Sequence, residues 1–190
     1  GLFWFDLPLG LLLTFIFHKI VRNDLLDNLP TFLKSRFSAV RQFDWNEYFK
    51  INWFIVTISI LIGAASHNLW DSFTHDHGYF VNLIPALTDS INLFNKQIPI
   101  FKILQHSSTL IGGLVIAFAI YKLPTEKIEE ENINLKYWII LTGLTLTIIA
   151  IKLLSGLELF QYGNVIVTVI SAGLLSLILT PLMLNKSKTS

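Results

Sequence analysis

Residues 67 to 78 read HNLWDSFTHDHG, and they gather three of the chain's five histidines and two aspartates at the end of an otherwise apolar segment. His67, Asp71 and His75 are spaced four apart. On a helix, at about 100° per residue, each falls about 40° round from the last, so all three share one face. Imidazole nitrogen and carboxylate oxygen are ligands that borderline cations such as Zn²⁺ or Fe²⁺ accept. Three protein ligands leave a coordination position for water, which separates a catalytic ion from a structural one. With no cysteine in the chain, neither a thiolate site nor a disulfide can form, and the expected cofactor is a divalent metal, zinc by its donor set. The competing explanation is a polar helix end in which Asp71 serves as hydrogen-bond partner to an imidazole.

The elements that must position these residues are apolar throughout. Of 190 residues, 53% are hydrophobic and 14% charged, and the mean hydropathy is +0.59, so the excess must face something other than water. Four runs approach the length that crosses a bilayer: Ile51 to Leu69, Gln105 to Tyr121, Tyr137 to Leu154 and Tyr162 to Met183. The shorter Leu7 to Ile20 reads as a fifth. The predicted fold is all-α, a polytopic transmembrane helical bundle with interfacial helices. It forms a single integral membrane domain over 1–190, made of a motif-bearing part (1–121), a charged loop (122–136) and two final crossings (137–184). A net charge of +1 and no basic stripe give no reason to expect a nucleic-acid partner. The expected partners are membrane lipid and a small-molecule or lipid substrate. Because the chain opens at Gly1 inside an apolar stretch, with no initiating Met or signal-peptide n-region, an N-terminal portion is expected to precede it.

Charge placement sets orientation and depth. With the amino terminus outside, only Lys96, Lys102 and Lys152 of the 14 basic residues lie on the outer side, in accord with the positive-inside rule. His67 and Asp71 then fall at the outer end of the second crossing, Gln105 and His106 at the outer start of the third, and Asp6 at the outer start of the first. Ionisable groups within a membrane segment are costly, so their convergence at one level asks for a reason. Asp6 has a plainer use as a helix cap ahead of Pro8.

The remaining segments carry simpler expectations. Residues 22 to 50 read as a basic amphipathic segment lying on the cytoplasmic leaflet, with Phe32, Leu33, Phe37 and Val40 on its apolar face. Trp45, Tyr48 and Trp53 read as an aromatic belt. Glu126 to Glu131 reads as a solvated loop. Pro85, Pro99 and several Asn argue that 79–100 is interfacial or re-entrant rather than a sixth crossing. Gly63, Ala64, Ala65 and Ser66, with Ser108, Gly112 and Gly113, would let the second and third crossings pack closely.

FDLPLG at Phe5 to Gly10, SHNLWDSFTHDHG at Ser66 to Gly78 and LQHSS at Leu104 to Ser108 resemble a family of multi-pass bacterial membrane proteins of unknown function. Its pattern is S-H-x-x-W-D-x-x-T-H-x-x-G, and in the H-x-x-x-D core the family is similar to membrane-bound metal-dependent hydrolases. The resemblance lies in the motif-bearing part. It implies a metal site at His67, Asp71 and His75 with Asp6 and His106 as companions, an earlier portion carrying its own His and Asp signals, and a place in the bacterial plasma membrane. His77 stands where the pattern is open and receives no role.

The expected function is metal-dependent hydrolysis of an ester or phosphoester, including that of a lipid, at the outer membrane interface. His67, Asp71, His75 and His106 would hold the metal, and Asp71 or Asp6 would act as general base. The alternative is a non-catalytic membrane protein whose His/Asp cluster locks helices together, with or without a metal. Haem ligation by His67 and His106 from facing helices is a third reading.

Overall fold

The structure is a computed structural model and describes residues 1–93, 96–128, 133–156 and 162–186. Among the described residues, five helical spans are long and apolar enough to cross a membrane: Leu2–Asp27, Trp45–Leu83, Ile100–Lys122, Leu135–Leu154 and Gly163–Leu184. The fold is thus all-α and polytopic.

The first span is longer than its apolar run. Helix α1 (Leu7–Ile16) is flanked by π-helical turns at Leu2–Asp6 and Phe17–Val21, and α2 (Arg22–Asp27) continues it. Pro8 explains the first wide turn, because it has no N–H for the Trp4 carbonyl and its ring crowds that oxygen. The Leu7 N–H reaches back to the Leu2 carbonyl instead. Pro30 then breaks the chain ahead of α3 (Thr31–Arg41), the helix expected within the basic segment. Its charges are used partly inside the protein: Arg41 grips both oxygens of Asp27, at 2.6 and 2.8 Å. That hydrogen-bonded carboxylate, helped by its negative charge, holds the Arg41 pKa above its ordinary value. Lys34 donates to the Asp27 carbonyl at 3.1 Å.

The long helix α4 (Trp45–Thr74) bends at Asn52, whose backbone leaves helical geometry (φ −115°, ψ 21°). The Asn52 side-chain amide donates to the Tyr48 carbonyl at 3.1 Å, a local bond that competes with the helix ladder. Beyond it come α5 (Tyr79–Leu83), α6 (Pro85–Thr88) and an antiparallel hairpin of β1 (Ser90–Leu93) and β2 (Lys96–Pro99), in which Ile91 faces Ile98. None of these is long enough to span. Three long helices complete the chain: α7 (Ile100–Lys122), α8 (Leu135–Leu154) and α9 (Tyr162–Lys186). The expected loop Glu126 to Glu131 falls from residue 129 onward outside the described residues.

Contacts gather these elements into two compact units. The first joins Gly1–Leu11 to Asn46–Leu123. Within it a Cβ at Gly10 would lie 2.6 Å from Ile60 Cγ2, so glycine there permits α1 to approach α4. At Gly63, Gly112 and Gly113 a Cβ would meet nothing within 4 Å. Those three glycines, expected to help bring the second and third crossings together, are therefore not what sets their approach.

The second unit joins Leu12–Trp45 to Pro124–Ser190. Trp45, expected in an aromatic belt, is buried instead. Its ring stacks flat on His18 (4.4 Å between centroids, 5° between planes), with Phe15 edge-on at 5.6 Å. The buried guanidinium of Arg22 donates to the Phe43 carbonyl at 2.7 Å and to Asn23 Oδ1 at 3.0 Å, and lies 3.3 Å from His18 Nδ1. Asn28 ties in the start of α8: its side-chain oxygen accepts the Asn134 N–H at 3.0 Å and its carbonyl accepts Trp138 Nε1–H at 2.8 Å. Helix α9 packs on α8 and on the Phe17–Val21 turn, burying Ala172, Ser176 and Thr180 along one face.

Arg22→Met strips acceptors in this cluster of their donor and should lower stability by about 1.5–3 kcal/mol, as expected for bonds to a charged group. Arg22→Lys should recover only part, since one ammonium cannot reach three divergent acceptors. Thermal unfolding in detergent, followed by helical circular dichroism, checks both. Equal stability of the Lys and Arg forms would contradict the expectation.

Candidate functional site: a polar cleft at the Thr74 end of α4

Five side chains on α4 and just past it, His67, Trp70, Asp71, Thr74 and His75, fall at i, i+3, i+4, i+7 and i+8 and so form one stripe. On α7, Gln105, Ser108 and Thr109 fall at i, i+3 and i+4. The two stripes line a cleft of about 450 Å³ in the first unit. Two bonds join them: Trp70 Nε1–H donates to Ser108 Oγ at 3.1 Å, and the Gln105 amide nitrogen lies 3.2 Å from His75 Nε2. Ser108 in turn donates to the Gln105 carbonyl at 2.9 Å.

Asp71 is the centre of the cluster. His67 Nε2 lies 3.4 Å from Asp71 Oδ2, and His75 Nδ1 lies 3.5 Å from Oδ1. The carboxylate is the least exposed of the three side chains, at 35% against 74% for His67 and 53% for His75. It is held between two rings that have room to turn. With Nδ1 directed at the carboxylate, His75 presents Nε2 to Gln105, giving a line Asp71, His75, Gln105 from one helix to the next.

Helix α4 ends here for a backbone reason. Gly78 N–H donates to the His75 carbonyl at 2.9 Å, and His77 takes a left-handed conformation (φ 65°), the position that glycine or asparagine ordinarily fills at a helix end. A Cβ on Gly78 would lie 2.5 Å from the Ser72 carbonyl oxygen and 2.9 Å from that of His75. The turn lets α5 fold back, and Phe80 stacks on Phe73 at 4.1 Å and 8°. Thr74, Val81 and Phe101 are buried in this unit. His77 thus serves the chain reversal, whatever its ring does.

The predicted residues separate into those the structure brings together and those it does not. His67, Asp71 and His75 share the cleft. Asp6 meets Asn68 (3.4 Å from Asn68 Nδ2), one residue round from His67 and outside the cleft lining. His106 is exposed, makes no hydrogen bond or ion pair among the described residues, and does not line the cleft that His67 lines. Its neighbour Gln105 occupies the position facing His75. The sequence placed Gln105 at this level without a site role, which its spacing with Ser108 and Thr109 could have given it.

Donor type and spacing decide whether this arrangement suits a divalent ion. Donor type fits. Bonds of about 2.0–2.1 Å to a tetrahedral ion put neighbouring donors about 3.3 Å apart, and the two His–Asp separations, 3.4 and 3.5 Å, lie near that value. The set does not close as a trio: among the described residues no three His, Asp or Glu side chains are grouped to hold an ion together. The cause is visible in the geometry, since the imidazoles take opposite oxygens of one carboxylate.

Fold and cluster define a class, a multi-pass integral membrane protein with a His–Asp–His cluster at the end of a spanning helix. Over residues 1–182 the chain matches the family described as a domain of unknown function, DUF4184, and it belongs to that family. The match takes in α8 and most of α9 as well as the motif-bearing part. No curated protein and no solved structure matches the chain.

Two neighbouring substitutions should act in opposite directions on the helix end. Gly78→Ala forces a methyl against backbone carbonyls and should destabilise by about 1–3 kcal/mol. His77→Gly relieves the left-handed conformation and should be neutral to about 1 kcal/mol stabilising, after the flexibility of glycine in the unfolded chain is counted. Melting temperatures in detergent report both, and a stabilising Gly78→Ala would refute the account of this turn.

Proposed function

We propose that this protein is a membrane-embedded, metal-dependent hydrolase acting on an ester or phosphoester, with a lipid or other amphiphile as substrate, at the outer face of a bacterial plasma membrane. The observation that carries the proposal is the placing of two imidazoles against one part-buried carboxylate at the lip of a roomy polar cleft. His67, Asp71 and His75 would hold the ion once the two exposed imidazoles turn toward one side of the carboxylate, zinc being the divalent metal that suits nitrogen and carboxylate donors. Once bound, such an ion polarises a carbonyl or phosphoryl oxygen and lowers the pKa of a bound water.

The chain's own side chains have definable roles in this scheme. Asp71 stands between the two imidazoles, within 3.5 Å of each ring. It is also the carboxylate placed to accept a proton inside the cleft. Gln105 and Thr109 offer neutral hydrogen-bonding groups suited to the polar end of a substrate, whereas the helices around them are apolar. Asp6 orders Asn68 on the adjoining face of α4, which puts it behind the site rather than in it. His106 adds a further nitrogen on α7 without joining the cleft.

A second reading has its own support. Trp70 to Ser108 and His75 to Gln105 already satisfy cluster members across two helices, which is what a non-catalytic polar lock requires. Metal content separates the two. Detergent-purified protein, reconstituted with Zn²⁺ and assayed by elemental analysis, should carry stoichiometric metal, and both His67→Ala and Asp71→Ala should lose it. Protein that folds, carries no stoichiometric metal, and loses thermal stability in Gln105→Ala would favour the lock.

A further inference from the structure

In the second unit, a cleft of about 380 Å³ lies between α8 and α9, and its chemistry is divided. Ile151, Val167 and Leu175 supply apolar walls, while Lys152, Thr168 and Ser171 supply the polar groups. Lys152 is the only charged residue between Tyr137 and Leu154, and no charged residue occurs between Tyr162 and Met183. Among the described residues the cleft therefore has one ionised group and no carboxylate; Glu158, the nearest carboxylate in sequence, lies outside them. Lys152 makes no hydrogen bond or ion pair among the described residues. Thr168 donates its hydroxyl hydrogen to the Asn164 carbonyl at 2.7 Å, leaving its oxygen as an acceptor.

An ammonium at the interface end of apolar helices attracts the anionic groups of the bilayer surface. Lys152 stands in the last turn of α8, where its stem can lie along apolar surface with the head at the interface. A free small anion would match the ammonium but leave the apolar walls uncovered. An acyl chain alone would cover the walls and leave the ammonium unanswered. We infer that this cleft binds an anionic phospholipid, its phosphate on Lys152 with the Ser171 hydroxyl beside it and an acyl chain along Ile151, Val167 and Leu175. The proposed occupant is part of the surrounding bilayer, and the site is independent of the His–Asp cluster.

Native mass spectrometry of the full chain in detergent tests this with phosphatidylglycerol and phosphatidylcholine of identical acyl chains. The unaltered protein should retain phosphatidylglycerol about fivefold better, as one lysine at a membrane surface provides. Lys152→Arg should keep the preference, and Lys152→Ala should abolish it with an unchanged helical circular dichroism spectrum. Filling the cleft by Ser171→Leu should reduce retention of both lipids. Equal retention of the two lipids by the unaltered protein, or a preference that survives Lys152→Ala, would overturn the proposal. So would displacement of phosphatidylglycerol by inorganic phosphate alone, since the site would then read the anion without the chain.

Discussion

In helices this apolar, every polar group has to be satisfied within the protein, because the surroundings supply no hydrogen bonds. Much of the structure follows from that constraint. Hydroxyls bond back to carbonyls one turn earlier, as at Thr57 to Trp53, Thr145 to Leu141 and Thr147 to Gly143, all at 2.8 Å. Indoles reach further, to Ser108 from Trp70 and to Asn28 from Trp138. The fully buried oxygens of Tyr137 and Ser176 lack a hydrogen-bond partner among the described residues, and the structure offers no account of them. The His67, Asp71 and His75 cluster obeys the same requirement, each ring meeting the carboxylate between them.

The spanning helices were legible in the sequence because hydropathy is a sum over about 20 residues and tolerates local error. The first span shows where such a sum fails. Its polar continuation, His18 through Asp27, remains helical because Arg22 and His18 find partners inside the second unit. No run of hydropathy contains that information. Trp45 was misread for a related reason: an aromatic ring at the start of a crossing has the same sequence signature whether it meets lipid or stacks on a histidine.

The candidate site was legible wherever helical spacing alone decides neighbourhood. Residues four apart on α4 must share a face, and they do. Across helices the signal weakens, because one position is a turn of about 100°, and the rotation of α7 that selects Gln105 over His106 is set by packing. Depth in the membrane could place both residues at the right level but not distinguish them. The same limit applies to Asp6, which reached the correct helix end and the neighbouring face. Packing likewise decided against Gly63, Gly112 and Gly113 as close-approach points and in favour of Gly10.

The bend at Asn52 divides α4 into a short lead-in and a straight run from Trp53 to Thr74. That run is about 33 Å long at the rise of an α-helix, against a hydrocarbon layer of about 30 Å. The helix therefore has little slack. A bilayer thinner by a few ångströms would lift His67 and Asp71 into the headgroup water, and a thicker one would draw them toward the acyl chains unless α4 changed its tilt. Where the run from Trp53 to Thr74 spans the layer, the hydration of His67 and Asp71 depends on the thickness of that layer as well as on the residues of the cleft.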